Sequence, residues 1–202
     1  TSLATSLQEY LDDKELIKLA VLKTPMSLQY ANHNATHDNA FNASSDFDVV
    51  LLAVSLDGYT LKFASEVLRD NFIIVTNAVE NCWESLEDAS DRLTDYEEIV
   101  EDAVKGNSAA LQWASGNLKN NTEFMLKIIR HDPSAIKYAD TTCANYFELV
   151  RKALDINGLA INFIHKQVAV SAIQNNPDVL EYLAPMKAKE IVLQYPLFMK
   201  YL

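Results

Sequence analysis

Glycine and proline are scarce in this chain, four and five among 202 residues. A sheet protein of this length needs many more turn residues at short, regular intervals, so helix is the default reading. Cysteine is rarer still. Cys82 and Cys143 lie too far apart to match a metal or redox spacing, and they read as buried or semi-buried free thiols within helical stretches. Positive charge is also short: 17 Lys and Arg face 28 Asp and Glu, a formal net charge of −11. Such a chain repels a phosphate backbone and an anionic bilayer, which argues against nucleic-acid binding and membrane adsorption. No apolar run reaches the roughly 18 residues of a membrane-spanning helix, and no basic-then-apolar leader opens the sequence. The first residue is Thr rather than Met, which predicts a processed chain or a piece of a longer one.

Catalytic signatures are missing too. There is no Gly-rich phosphate loop, no Ser or Cys nucleophile in a recognisable elbow and no metal-ligand cluster, so neither catalysis nor a cofactor is expected. His33 and His37, with Asp38 nearby, have an H-x-x-x-H spacing, but their segment reads as a loop and no third ligand is placed. Asn34, Asn42 and Asn120 open Asn-x-Ser/Thr triplets, which mean little without a secretory signal. His131 and His165 fall near helix ends and read as surface or capping residues.

What is present is a repeat. Ala53-Val54, Ala78-Val79, Ala103-Val104, Ile128-Ile129 and Ala153-Leu154 recur at a constant step of about 25 residues, a period typical of stacked repeat architectures. Eight positions after the first member of each pair come Leu61, Leu86, Leu111, Ile136 and Ile161. Three further on come Ala64, Ala89, Ala114, Ala139 and Ile164, and the pattern closes on Leu68, Leu93, Leu118, Cys143 and Val168. Further copies start at Ala20-Val21, Ala172-Ile173 and Ile191-Val192, for eight units in all. The last two steps, from Ala153 to Ala172 and on to Ile191, are shorter, which predicts shorter helices there. The first step, from Ala20 to Ala53, is longer, with its excess in the polar stretch 32–45, read as an inserted loop.

Five positions after each leading Ala or Ile stands a break: Pro25, Gly58, Trp83, Ser108, Pro133, Gly158, Pro177 and Pro196. The residue before it is commonly Thr, Asp or Asn, a side chain that caps a helix start. Each unit therefore reads as helix A with the Ala-Val pair, a tight corner, and helix B with Leu61, Ala64 and Leu68 on one face. Helices this short are marginal alone and gain stability when neighbouring units cover their apolar faces. The expectation is an all-α chain, an α-solenoid of about eight stacked hairpins forming one domain over 1–202. It comprises a first unit plus loop (1–45), regular units (46–168) and shorter terminal units (169–202).

The units resemble a short helical repeat of unknown function, written A-V-x-x-x-G-x-x-L-x-x-A-S-x-x-L, which occurs in tandem. Ala53-Val54, Gly58, Leu61, Ala64-Ser65 and Leu68 match it, as do Ala103-Val104, Leu111, Ala114-Ser115 and Leu118. Leu11 to Leu16 is similar to the junction between one unit and the next. The likeness is good over 47–120 and looser outside. It departs at Trp83, where Gly is typical, at Asp88, where an aromatic is, and at Leu183 and Leu202, which replace the second Ala. The resemblance, to repeats found in secreted effectors of intracellular bacteria and in protists, implies a cytoplasmic protein or one delivered into a host cell's cytosol, and brings no catalytic residues.

Two features are candidate binding elements. The residue before the second recurring Ala is aromatic in seven units: Tyr30, Phe63, Trp113, Tyr138, Phe163, Tyr182 and Tyr201. These rings form either a ladder that grips a peptide or packing in the seams between units. Asp88 breaks the series, and Trp83 lies one helical turn away as a compensating ring. The second feature is acidic: Glu80, Glu84, Glu87, Asp88, Asp91, Asp95, Glu97, Glu98, Glu101 and Asp102 against Arg92 alone. That run is a solvated face or a docking patch for a partner with a basic surface. The expected function is a non-catalytic protein-interaction scaffold. The alternative is a regulatory or structural arm of a larger enzyme.

Overall fold

The computed structural model describes residues 13–30, 42–143, 145–175, 177 and 182–201. His33, His37, Asp38, Asn34 and the polar insertion up to residue 41 lie outside the described residues. Among the described residues every regular element is a helix, and no strand occurs. The chain divides into two compact units, residues 1–115 and 116–202.

The first contains the long helices α1 (Lys14–Lys23), α2 (Phe47–Leu56), α4 (Phe72–Asn81) and α6 (Glu97–Gly106), and the short helices α3 (Glu66–Arg69) and α5 (Asp91–Thr94). Between them run 3-10 segments at Pro25–Tyr30, Ala43–Ser45, Gly58–Phe63, Trp83–Asp88 and Ser108–Gln112. Helix α2 packs between α1 and α4, α4 packs on α6, and the 3-10 segments pack on their neighbours in the same order. The second contains the short α7 (Gly116–Asn120) and the long α8 (Thr122–His131), α9 (Tyr146–Ile156), α10 (Lys166–Asn175) and α11 (Pro185–Gln194). Its 3-10 segments are Pro133–Tyr138, Gly158–Asn162 and Pro196–Tyr201, and α8 packs on α9.

Two polar columns set these boundaries. Asp13, Asp46, Asn71 and Asn121 precede α1, α2, α4 and α8, and each side chain accepts a backbone N–H of the first turn. Asp57, Asn107, Asp132 and Asn157 do the same for the 3-10 segments, accepting the N–H two positions on at 2.9–3.1 Å. Pro25, Gly58, Trp83, Ser108, Pro133, Gly158 and Pro196 are each the first residue of a 3-10 segment, so the corner lies where the spacing puts it. Glycine is required at one of them. A Cβ on Gly58 would stand 2.3 Å from the Ala78 carbonyl oxygen and 2.8 Å from the Cys82 Cβ.

Three expectations are corrected. Helix B is not one helix: Leu61 lies in a 3-10 segment, Ala64 is extended (φ −70, ψ 152), and Leu68 lies on the separate α3. Leu61, Ala64 and Leu68 are all buried, but from different elements. The break has a use. The backbone N–H of Ser65, Ser90, Ser115 and Asp140 donates to the carbonyl of Ser44, Arg69, Thr94 and Lys119 at 2.8–3.0 Å. A continuous helix would turn those N–H groups onto its own preceding turn. The second correction concerns the shortened C-terminal steps, where the long helices α10 and α11 keep 10 residues each. The short helix is what disappears: α10 begins at Lys166, the place that Glu66, Asp91 and Gly116 take in their units. Third, the cysteines are free, Cys82 half-buried and Cys143 buried, but neither is helical. Cys82 links α4 to its 3-10 segment, and Cys143 lies in a bend.

Candidate interaction surface

The acidic run spreads over four successive elements. Glu80 lies near the end of α4 on an exposed position; Glu84, Glu87 and Asp88 lie on the Trp83–Asp88 segment; Asp91 opens α5 and Asp95 follows it; Glu97, Glu98, Glu101 and Asp102 lie along α6. Capping explains part of this distribution, because acids at Asp91, Glu97 and Glu98 sit in first helical turns, where the helix dipole favours them. Glu80, Glu87, Asp91, Asp95, Glu97 and Glu98 are exposed. The run's only cation, Arg92, is turned onto Asp70, outside the run, with Nε 3.0 Å from one carboxylate oxygen. Lys105, just beyond it, pairs with Asp102 at 2.6 Å, and Glu101 and Glu80 further hold its ammonium charged. Across 1–115 there are 20 Asp and Glu against 7 Lys and Arg, a net −13.

Two of the acids are built into the fold. Asp95 accepts a short hydrogen bond from the Ser115 hydroxyl. Glu84 accepts from the Cys82 thiol at 3.0 Å, and that bond, ahead of any other cause, holds its carboxyl below the usual range. The Tyr59 hydroxyl is tied to the same pair, and hydrogen bonding to Cys82, followed by burial, pushes it up to about 12. Burial raises the Cys82 thiol itself, which favours its protonated form. This Tyr59–Cys82–Glu84 cluster is absent from the sequence expectations. Its signal is visible in hindsight: Cys82 occupies a column that Asp or Asn fills in Asp57, Asn107, Asp132 and Asn157.

Trp83 and Trp113 come together, with ring centroids 5.5 Å apart and planes inclined by 38°. Both are half-buried. Trp83 fits at a glycine corner because the next unit supplies a glycine in return: a Cβ on Gly106 would lie 3.1 Å from the Trp83 Cβ. The remaining aromatic positions are not core. Phe63 and Tyr138 are half-buried, and Tyr30, Phe163 and Tyr182 are exposed. Lys62 caps the Phe63 ring at 5.0 Å, and Lys137 stands 4.7 Å from the Tyr138 ring and 5.6 Å from that of Phe163. The Tyr201 side chain lies outside what is described. Asp88 takes an aromatic position half-buried, and burial, then Glu87, raises its carboxyl.

His131, the exposed last residue of α8, and His165 lie at helix ends. His165 Nδ1 accepts from the Gln167 N–H at the start of α10. Among the described residues, no three His, Cys, Asp or Glu side chains are grouped to hold a metal ion. No helix among them is long and apolar enough to cross a membrane.

Comparison with curated proteins and with solved structures finds no match. A family model does match, over residues 46–94 and 96–142. Each matched stretch spans two of the repeating units, the first running from the cap of α2 to the end of α5. The centre of the chain is therefore similar, in two tandem stretches, to a domain of unknown function (DUF4116).

Proposed function

We propose that this protein is a protein-interaction scaffold without catalysis of its own, an α-solenoid whose acidic segment 80–102 docks a partner with a basic surface. The observation that carries the reading is the concentration of exposed carboxylates on one compact unit, where the two cations within and just after the run, Arg92 and Lys105, are engaged by Asp70 and Asp102. A surface of one sign steers an oppositely charged partner and accelerates encounter at low salt. Packing of each long helix on the next within residues 1–115 supports the stacked arrangement. The half-buried Trp83–Trp113 pair beside this segment adds the flat, stiff surface that binding hot spots favour. The working compartment is the cytosol, either a bacterium's own or that of a host cell into which it is delivered.

Glu84 and Asp95 serve the fold, so the informative variant is Glu87→Lys, Asp91→Lys, Glu98→Lys, at three exposed positions. Affinity capture from lysate is run with wild type and variant at low and high salt. A partner held by wild type at low salt and lost from the variant is the expected result. Equal retention by both proteins overturns the docking patch.

A further inference from the structure

Cys82 interrupts a column of oxygen-bearing caps. Asp57, Asn107, Asp132 and Asn157 stand at the equivalent place in other units, immediately before a 3-10 segment. In each, the side-chain oxygen accepts the N–H two positions on, at 2.9–3.1 Å. Cys82 has the same extended backbone as Asp57, φ −147 and ψ 110 against φ −152 and ψ 105. Yet its side chain gives the segment Trp83–Asp88 no capping hydrogen bond. The N–H concerned, that of Glu84, meets the sulfur and its own carboxylate instead. Sulfur is a weak acceptor, so the segment lacks the cap its counterparts have.

The shortfall is one oxygen atom. In aspartate the capping oxygen is bonded to the atom beyond Cβ, and an oxygen added to the Cys82 sulfur takes the same place, bond for bond. The surroundings supply donors for such an atom. The Tyr59 hydroxyl is hydrogen-bonded to the sulfur. The Ser85 side chain is 1% exposed, and its hydroxyl has no hydrogen-bond partner among the described residues. It stands beside Cys82: Ser85 Oγ and the Cys82 Cβ each lie 2.8 Å from the point that a Cβ on Gly58 would take. On the acceptor side, a Glu84 carboxylate oxygen lies 3.0 Å from the sulfur. Cys82 itself is half-buried rather than enclosed.

We propose that Cys82 is an oxidation site at which hydrogen peroxide forms a lasting sulfenic acid, whose oxygen becomes the missing cap of Trp83–Asp88. The sulfur attacks one peroxide oxygen, and an S–O bond forms as the O–O bond breaks. The thiol proton leaves with the displaced hydroxide as water. The sulfur is oxidised by two electrons and the peroxide is reduced by two. In the product the Glu84 N–H and the Tyr59 hydroxyl donate to the new oxygen, and the S–O–H donates to the Glu84 carboxylate. That carboxylate also holds the ladder at its first rung, because a negative charge beside the S–O–H opposes the ionisation that speeds the next oxidation. Formation is slow, since burial favours the protonated thiol, and what the site supplies is a persistent product.

Peroxide treatment of the full chain, followed by dimedone trapping and peptide mass spectrometry, tests the chemistry. Cys82 is expected to carry the dimedone adduct, with the buried Cys143 as comparator in the same molecule. Tyr59→Phe and Glu84→Gln should each lower the adduct roughly fivefold in favour of sulfinate, the effect of one lost hydrogen bond. Melting gives a second readout. Peroxide-treated wild type should melt about 2–4 °C above the untreated protein, the effect of one gained cap. Dithiothreitol should reverse that gain, and Cys82→Ala should show none. Cys82→Asn, which supplies the oxygen permanently, should melt above Cys82→Ala with or without peroxide. Absence of the adduct on Cys82, equal adduct in wild type and both variants, or a peroxide shift retained by Cys82→Ala overturns the inference. None of these measurements involves a partner, so failure here and failure of the docking patch are distinguishable.

Discussion

The two compact units are made from the same repeat and differ in charge and in corner chemistry. Residues 1–115 hold a net −13, while 116–202 hold 8 Asp and Glu against 10 Lys and Arg, a net +2. In the first, the Gly58 corner abuts backbone; in the second, the equivalent Gly158 abuts the ring of Tyr182, an exposed side chain. The first latches its units with Ser90 and Ser115 hydroxyls donating to Asp70 and Asp95, whereas Asp140 replaces serine in the second and accepts from Thr142 instead. The same backbone scheme thus tolerates opposite charge balances, because the columns that close it are buried and the columns that carry charge are not.

The sharpest way to break this comparison is at the corners. Gly58→Ala is expected to destabilise by about 2–3 kcal/mol, since the added methyl meets a carbonyl that helix α4 fixes in place. Gly158→Ala should cost less, because the Tyr182 ring can swing into solvent. Denaturant unfolding of both variants checks the order, and equal losses would show that the two corners are alike.

Next in size is the latch. Ser90→Ala removes a bond to Asp70 and a cap on the Leu93 N–H, a loss of about 1 kcal/mol. Ser90, then Arg92, holds the Asp70 carboxyl below its ordinary value. That contribution is present above the ordinary aspartate range and is lost as pH falls through the lowered folded value. Ser90→Ala should therefore move the Asp70 titration upward, as followed by its side-chain NMR signal, and weaken hydrogen-exchange protection of α5 at neutral pH.

Salt separates the units more gently. Raising ionic strength from about 0.05 to about 0.5 M screens self-repulsion among surface charges. Peptide-resolved hydrogen exchange should show protection rising across 80–106 and holding level across 146–175. A uniform response would remove charge as a distinction between them.

The smallest expected effect is at Asp88. Its carboxyl is raised by burial and Glu87, so ionisation is easier in the unfolded chain and stability falls as pH rises through that range. Asp88→Asn should raise the melting temperature by about 1–2 °C at neutral pH. The gain should vanish in acid, below the ordinary aspartate value, where both states carry a protonated group.

Much of this organisation is legible in residue spacing. Apolar columns such as Ala53, Ala78 and Ala103, and corners such as Pro133 and Gly58, place the long helices and their ends because burial and backbone geometry act locally. The division of helix B is not legible. Leu61, Ala64 and Leu68 satisfy an i, i+3, i+7 pattern, and what breaks it is a hydrogen bond from Ser65 back to Ser44, in the preceding unit. The shortened C-terminal step misleads for the same reason, since losing a short helix and trimming a long one reduce the period alike. At the candidate surface, Trp83 stands at a corner and Trp113 in the aromatic column of the following unit, and no spacing rule brings two such unlike positions together. The Tyr59–Cys82–Glu84 cluster joins neighbouring units and hides inside a capping column.

The serine bond also decides how such a chain can be edited. Ser65, Ser90 and Ser115 reach back to the carbonyls of Ser44, Arg69 and Thr94, and donor and acceptor advance along the chain by the same step. Excising 65–89 joins Ala64 to Ser90, and the Ser90 N–H then faces the carbonyl of Ser44. Duplicating the same block inserts a donor and an acceptor together. Removing or duplicating a whole 25-residue block thus leaves these junctions bonded, while a cut of another length within 65–140 moves a donor off its acceptor.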